Sequence, residues 1–246
     1  MENTLAGKTL LITGGTSRLG SAFVRNARRR GGSVFFTYHK ASDKAAELEA
    51  LGARGFMLDL GDTAAIDVFA REFKAQSGGG LDVLIHNAAA TRDALLRDMT
   101  EEDWDHVMRV DLKAPYYLTK KVLSLLFKRT PSKIFMITSR AGLQGGVGLG
   151  SYAAAKAGLI ALAKSLAQEL GKKQVLVNAV NPGFMISGMT ENLADEIKER
   201  NKNESPLAVF SDPEEVADFL AHLSSDAMKQ VTGQIFHFES RNTRAF

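Results

Sequence analysis

Short apolar, β-rich runs alternate with longer helical segments from one end of this 246-residue chain to the other, and few architectures accommodate that rhythm. The runs are Leu10 to Ile12, Val34 to Tyr38, Phe56 to Leu58, Val83 to His86, Ile134 to Thr138, Val175 to Val180 and Gln234 to Phe238. Alternation of this sort predicts an α/β chain with a mostly parallel sheet of about seven strands, covered by helices on both faces. Near the end, Asp212 as N-cap, Pro213 at the first helical position and Glu215 three residues after the cap predict a helix to about Ser224. No repeat, low-complexity tract or linker interrupts the pattern, and Ser77 to Gly80 read as a loop between helix and strand. With 45% apolar residues the chain can bury one large core, so a single domain over 1–246 is expected.

Two local patterns point to chemistry. In LLITGGTSRLG, Leu10 to Ile12 read as a buried strand, and Gly14, Gly15 and Gly20 lead into a helix beginning near Leu19. Glycine lets the backbone approach a pyrophosphate, while the free N–H groups and dipole of a helix start favour its charge. An ordinary strand-to-helix turn is the plain alternative. In GSYAAAKAGLIALAKSLAQEL, Tyr152 and Lys156 stand four residues apart and share one helix face. A cation beside a phenol favours the phenolate, which suits proton transfer; a lone copy of this spacing is otherwise a surface pair. Ser139, thirteen residues before Tyr152 at the end of IFMITS, either joins them or caps local backbone.

In order and spacing, the glycine turn, Ser139, Tyr152 and Lys156 resemble the short-chain dehydrogenase/reductase family. HNAA at His86 to Ala89, Asp59-Leu60 and NPGF at Asn181 to Phe184 extend the resemblance over essentially the whole chain. It implies a single-domain, doubly wound Rossmann fold with a cofactor half over about 1–130 and a catalytic and substrate half over about 131–246. It further implies that Tyr152 protonates a substrate carbonyl oxygen while a nicotinamide delivers hydride to the carbon. Lys156 would promote the phenolate and hold the ribose hydroxyls, and Ser139 would orient and polarise the carbonyl. Cofactor contacts are implied at Gly14, Thr16, Ser17, Arg18, Leu19 and Gly20 in the turn, and at Tyr38, His39 and Lys40 after the second strand. Others fall at Asp59, Leu60, Asn87, Ala88, Ala89, Pro182, Gly183, Met185 and Ser187, besides Tyr152 and Lys156. No metal is implied. Within the family, NAAATRDALLRDMTEEDW, SYAAAKAGLIALAKSLAQEL and NPGFMISGMT are similar to 3-oxoacyl-(acyl carrier protein) reductases. That likeness implies reduction of a 3-oxoacyl thioester to the 3-hydroxyacyl thioester.

The chain departs from the family in several places. Asp111 in VDLKAPYYLTK occupies the position of an asparagine at a helix kink; its charge would favour Lys156 as ammonium, or it is a structural residue. Arg18 replaces the middle glycine of the turn, as in pteridine reductases, whose Y-H-R-S-like segment resembles Tyr38-His39-Lys40-Ala41. Yet Thr91 stands where those enzymes hold a stacking aromatic ring, and Ser139 where they carry an aspartate. Pteridine or dihydrofolate reduction is thus the second reading. A nonenzymatic dinucleotide-binding sensor is the third, opposed by the intact Ser139, Tyr152 and Lys156.

Thr37 to Lys40 offers no carboxylate for the ribose of NAD, while Lys40 and Arg18 can meet a 2′-phosphate, so NADPH is expected. Lys40 as a solvated flank of a helix is the alternative. Met185 to Asn203 is expected to be a lid, or else a plain surface helix. Lys128, Arg129, Lys172 and Lys173 are expected at the mouth of the site, where they would attract an acidic carrier protein; surface loops carry such residues too. Glu239-Ser240-Arg241 replaces the family's D-G-G, and a homotetramer or homodimer is expected.

A dispersed net charge of +3 does not call for nucleic acid, and Arg28 to Arg30 read as the solvated end of the first helix. No apolar run has membrane-spanning length, and Met1 to Gly7 lacks the features of a signal peptide, which makes cytoplasm the expected compartment. The absence of cysteine excludes disulfides and thiolate metal sites.

Overall fold

The computed structural model describes residues 4–40, 43–188, 190–191, 193–239 and 241. The readings above that touch Met1 to Asn3, Ala41, Met189, Asn192, Ser240 and the tail after Arg241 lie, to that extent, outside the described residues. Among the described residues, seven strands form one sheet: β1 Thr9–Ile12, β2 Ser33–Tyr38, β3 Arg54–Met57, β4 Val83–His86, β5 Ser132–Ile137, β6 Val175–Asn181 and β7 Ile235–His237. Every pairing is parallel, in the order β3-β2-β1-β4-β5-β6-β7. The helices are α1 Arg18–Arg29, α2 Asp43–Ala50, α3 Thr63–Gln76, α4 Glu101–Met108, α5 Ala114–Leu126, α6 Ala141–Gln144, α7 Gly150–Leu170, α8 Asp195–Asn203 and α9 Pro213–Ser224. A single π-turn, Arg109–Lys113, joins α4 to α5, and a 3-10 turn, Gly171–Lys173, follows α7.

Strand side chains alternate sides, and here both sides are apolar. Leu10, Ile12, Val34, Phe36 and Ile85 meet α1 and α9 through Phe23, Ala27, Val216 and Leu220. Leu11, Phe35, Leu84, Ile134 and Val177 meet α3, α5 and α7 through Phe73, Leu118, Val122, Leu159 and Ala163. Each such side chain contributes about 1.5–3 kcal/mol when fully buried.

Three details correct the sequence reading. Strand β3 lies earlier than Phe56 to Leu58, and β5 starts at Ser132, two residues before Ile134. Lys133 hides that start: it is buried in the strand, and its Nζ donates to the carbonyls of Leu223, at 2.7 Å, and Ser225 at the end of α9. Arg28 and Arg30 are not merely solvated. Arg28 donates to Gly32 O at 2.6 Å and Leu51 O at 3.0 Å, and Arg30 pairs with Asp218 of α9 at 2.8 Å, so the end of α1 is tied down on two sides. Helix α9 starts and ends as the sequence predicts, with the Asp212 carboxylate accepting from Glu214 N at 2.9 Å.

Candidate active site

The chain reverses direction across the sheet between β1 and β4, and a crevice opens at the carboxyl ends of the strands there. It has a volume of about 1360 Å³. Its walls include every catalytic and cofactor-contact residue implied above except Gly20, Lys40 and Asp111. Gly20 acts through packing, since a Cβ there would stand 2.2 Å from Gly14 O. Gly14 has φ +66°, and a Cβ on it would meet Ala88 Cα at 2.9 Å. These two glycines press the start of α1 onto the turn and bring β1 against the segment after β4. The Ser17 hydroxyl accepts from Gly20 N and from Asn87 Nδ2, both at 3.1 Å. Thr13 Oγ1 accepts from Asn87 N and Ala88 N at 3.1 and 3.0 Å. Thr16, Ser17, Arg18 and Leu19 therefore present a rigid helix start to the crevice, a cradle whose close glycine packing fits the diphosphate of a dinucleotide.

Two cations differ from expectation. Lys40 is exposed and off the crevice wall, whereas Lys44, on the first turn of α2, lines it. Arg18 lines the crevice but already donates to Ile186 O at 2.9 Å, so it ties the glycine turn to the segment after β6.

Ser139, Tyr152 and Lys156 meet on the crevice wall, delivered by the end of β5 and the first turns of α7. Ser139 Oγ accepts from Ala141 N at 3.2 Å, which leaves its hydroxyl proton for a ligand. Lys156 is buried, with Nζ 5.3 Å from the centre of the Tyr152 ring and 3.3 Å from Ile137 O. Its counter-ion is Asp111. The π-turn carries this carboxylate, fully buried, to 3.2 Å from Lys156 Nζ. Asp111 Oδ1 accepts from Ala90 N at 2.7 Å, and Oδ2 has no hydrogen-bond partner among the described residues, so the ammonium is its counterpart. Burial works against the Lys156 ammonium, but the Asp111 carboxylate and then Tyr152 more than offset it and hold the lysine above its ordinary range.

His86, the first residue of HNAA, is a core residue: it is buried, and Nε2 sits 2.8 Å from Thr119 Oγ1. Burial, reinforced by Lys156, pulls its pKa from 6.5 to about 3. The unfolded chain therefore takes up a proton below about 6.5 that the folded chain refuses until about 3, and stability falls as pH drops through that window. At pH 5 the loss is roughly 2 kcal/mol. His86→Asn, which keeps a polar partner for Thr119, should flatten this acid limb. Urea unfolding at pH 7 and pH 5 measures it; an undiminished acid loss in the variant would place the titrating group elsewhere.

The substrate end of the crevice is closed by α8 and the segment before it, through Met185, Leu193, Ile197 and Asn201. Arg140, Arg200 and Arg241 line this end; in the sequence Arg241 stood out only as part of the changed ending, Arg140 only as following Ser139, and Arg200 not at all. The basic residues expected at the mouth lie elsewhere. Lys128 and Arg129 follow α5, and Lys172 and Lys173 follow α7, just before β5 and β6 begin, which is the edge of the sheet opposite the crevice. Among the described residues, no helix is long and apolar enough to cross a membrane.

A parallel sheet in this order, a glycine-pinned helix start and a serine, tyrosine and lysine on one crevice wall define a nucleotide-dependent oxidoreductase acting on carbonyl or alcohol groups. Residues 15–240 match the family described as Enoyl-(Acyl carrier protein) reductase. The 3-oxoacyl-[acyl-carrier-protein] reductase FabG of Thermotoga maritima is 38% identical over 236 residues, covering 94% of this chain and 96% of that protein. FabG of Aquifex aeolicus is 36% identical over 243 residues, 96% of this chain and 98% of the relative. Among solved structures, the Pseudomonas aeruginosa RhlG/NADP active-site complex superposes with a TM-score of 0.90 at 27% identity, covering 98% of both chains. A short chain dehydrogenase from Burkholderia cenocepacia in complex with NADP gives a TM-score of 0.88 at 26% identity, covering 96% of this chain and 98% of the other. The chain belongs to the short-chain dehydrogenase/reductase family.

Proposed function

We propose that this protein uses NADPH in the cytoplasm to reduce a 3-oxoacyl thioester, bound to acyl carrier protein or coenzyme A, to the 3-hydroxyacyl thioester. The observation that carries the reading is the meeting of Ser139, Tyr152 and the Asp111-paired Lys156 on one crevice wall. The 3-oxoacyl reductases it resembles match it nearly end to end. Bound NADPH supplies the hydride. The Ser139 hydroxyl donates to the carbonyl oxygen and holds it beside the Tyr152 phenol, which gives up its proton as charge develops on that oxygen. Lys156, kept cationic by Asp111, stabilises the phenolate left behind and can turn a donor to the ribose hydroxyls. Thr91 on the crevice wall offers no aromatic face to a pterin, and Arg18, the residue shared with pteridine reductases, donates to Ile186 O at 2.9 Å.

The test of the reading is NADPH oxidation with acetoacetyl thioesters, dihydropteridines and no substrate. Turnover only with the thioesters is expected; turnover only with the pteridines would reassign the enzyme. Delivery of a carrier through Lys128, Arg129, Lys172 and Lys173 calls for a homodimer or homotetramer that brings one protomer's cluster beside another's crevice. Glutamate at all four should raise KM for the carrier-bound ketone and leave a small thioester unaffected, and salt should act alike by screening over about 8–10 Å. Unchanged handling of the carrier would remove these residues from docking.

Preference for NADPH should rest on Lys44 more than on Lys40. Lys44→Asp is expected to shift the NADPH-over-NADH preference by about tenfold or more, since one charge-assisted contact is worth roughly 1.5–3 kcal/mol. Lys40→Asp should shift it less, and Arg18→Gly should also loosen the segment after β6. Dissociation constants for both cofactors decide the matter; equal losses for each would mean that none of these cations reads the 2′-phosphate.

A further inference from the structure

Arg241 does not extend into solvent. It is 8% exposed and lines the substrate end of the crevice. Its Nε and Nη2 donate to the two carboxylate oxygens of Glu239 at 2.7 and 2.6 Å, in a pair whose side chains are 7% and 3% exposed. Two-point pairing fixes the plane of the guanidinium, which leaves Nη1 a single direction. It points at α8, where it donates to Asn201 Oδ1. The Asn201 amide nitrogen donates to Ile197 O at 2.8 Å, one turn back, and this turns its oxygen toward Arg241. The same guanidinium covers the ring of Phe184 at 5.6 Å, and Phe184 packs on Phe210 at 5.6 Å. One side chain thus joins the end of the sheet, the segment after β6 and the helix that closes the crevice.

A buried ion pair is poor value as a source of stability, because desolvating both charges offsets most of their attraction. What it supplies here is direction. Glycine, the residue the family pattern has at this place, makes no such tie. At the C-terminal cap of the same helix, just past Asn201, Arg140, next to Ser139, pairs with Glu204, so this end of α8 is held from the catalytic loop and from the tail together.

We infer that Arg241 is a positioning residue for ketone binding: it holds α8 and Phe184 over the substrate end, so that a ketone is confined against Ser139 and Tyr152. The kinetic consequence rests on the reductase reading; the effect on α8 does not. Asn201→Ala removes only the contact to α8 and leaves the Glu239 pair intact. Arg241→Lys keeps a charge for Glu239 and loses the fork. Each should raise KM for acetoacetyl-CoA by about tenfold with kcat unchanged, as expected when binding contacts are lost without harm to the chemistry. The double variant should be no worse than Arg241→Lys alone. With no substrate present, amide hydrogens over 197–203 should exchange about tenfold faster in both variants. Wild-type KM and wild-type exchange in Asn201→Ala would overturn the inference and reduce Arg241 to a clip for the tail. If the native enzyme reduces no ketone, the exchange measurement still decides whether Arg241 holds α8.

Discussion

Tyr152→Phe should lower kcat for ketone reduction by about a thousandfold while leaving the NADPH dissociation constant nearly unchanged. The substitution removes one oxygen and its proton. The ring stays on the first turn of α7, 5.3 Å from Lys156 Nζ, so the lysine keeps both its aromatic neighbour and its carboxylate. Without the phenol, hydride arrival would leave an alkoxide whose proton must come from solvent, with only Ser139 to stabilise it. Single-turnover kinetics with saturating NADPH, beside fluorescence titration of the cofactor, separates the two effects. Wild-type turnover in the phenylalanine variant would remove Tyr152 as the acid and require another donor on the crevice wall.

Asp111→Ala should destabilise the fold by about 3–5 kcal/mol, the usual cost of leaving one member of a buried ion pair alone. Lys156 is buried, and besides Asp111 and the Tyr152 ring its ammonium has, as hydrogen-bond partner among the described residues, the carbonyl of Ile137 at 3.3 Å. Asp111→Asn is the informative companion. It keeps an acceptor for Ala90 N–H and removes the charge. The larger of the two influences that raise the Lys156 pKa is then gone while burial still lowers it and Tyr152 remains, so Lys156 loses its proton at lower pH than in the native protein. The alkaline limb of the kcat profile should therefore move to lower pH. Urea unfolding and a pH–rate profile check the two halves; native stability in the alanine variant would show that Lys156 is already neutral in the fold.

The parts of the site that could be read in advance are those carried by contiguous chain. The glycine turn is legible because strand, turn and helix start occur within about a dozen residues, and the glycines leave no room for a side chain. Tyr152 and Lys156 share a face because α-helical geometry dictates it. The placement of Asp111 beside Lys156 followed from family resemblance, and the structure adds the means, a π-turn that swings the carboxylate inward. Lys40 was singled out for standing next to β2, yet Lys44 reaches the crevice, because the start of α2 decides which lysine faces inward. The four basic residues near 128 and 172 were placed at the mouth, but the direction of α5 and α7 along the sheet puts them at its far edge.

By itself, then, the sequence determines the alternation of strands and helices, the parallel sheet covered on both faces, and the shared helix face of Tyr152 and Lys156. Each of these follows from periodicity or from spacing within one or two elements, whereas the proton-transfer role proposed for that pair came from the family resemblance. Tertiary structure alone decides that Lys133 can sit inside a strand, that His86 stays neutral, and that Arg241 turns from the tail to meet α8. Those outcomes are contacts between residues 33 to 92 positions apart. Their energy depends on what burial brings beside each charge, and local pattern carries no record of that partner.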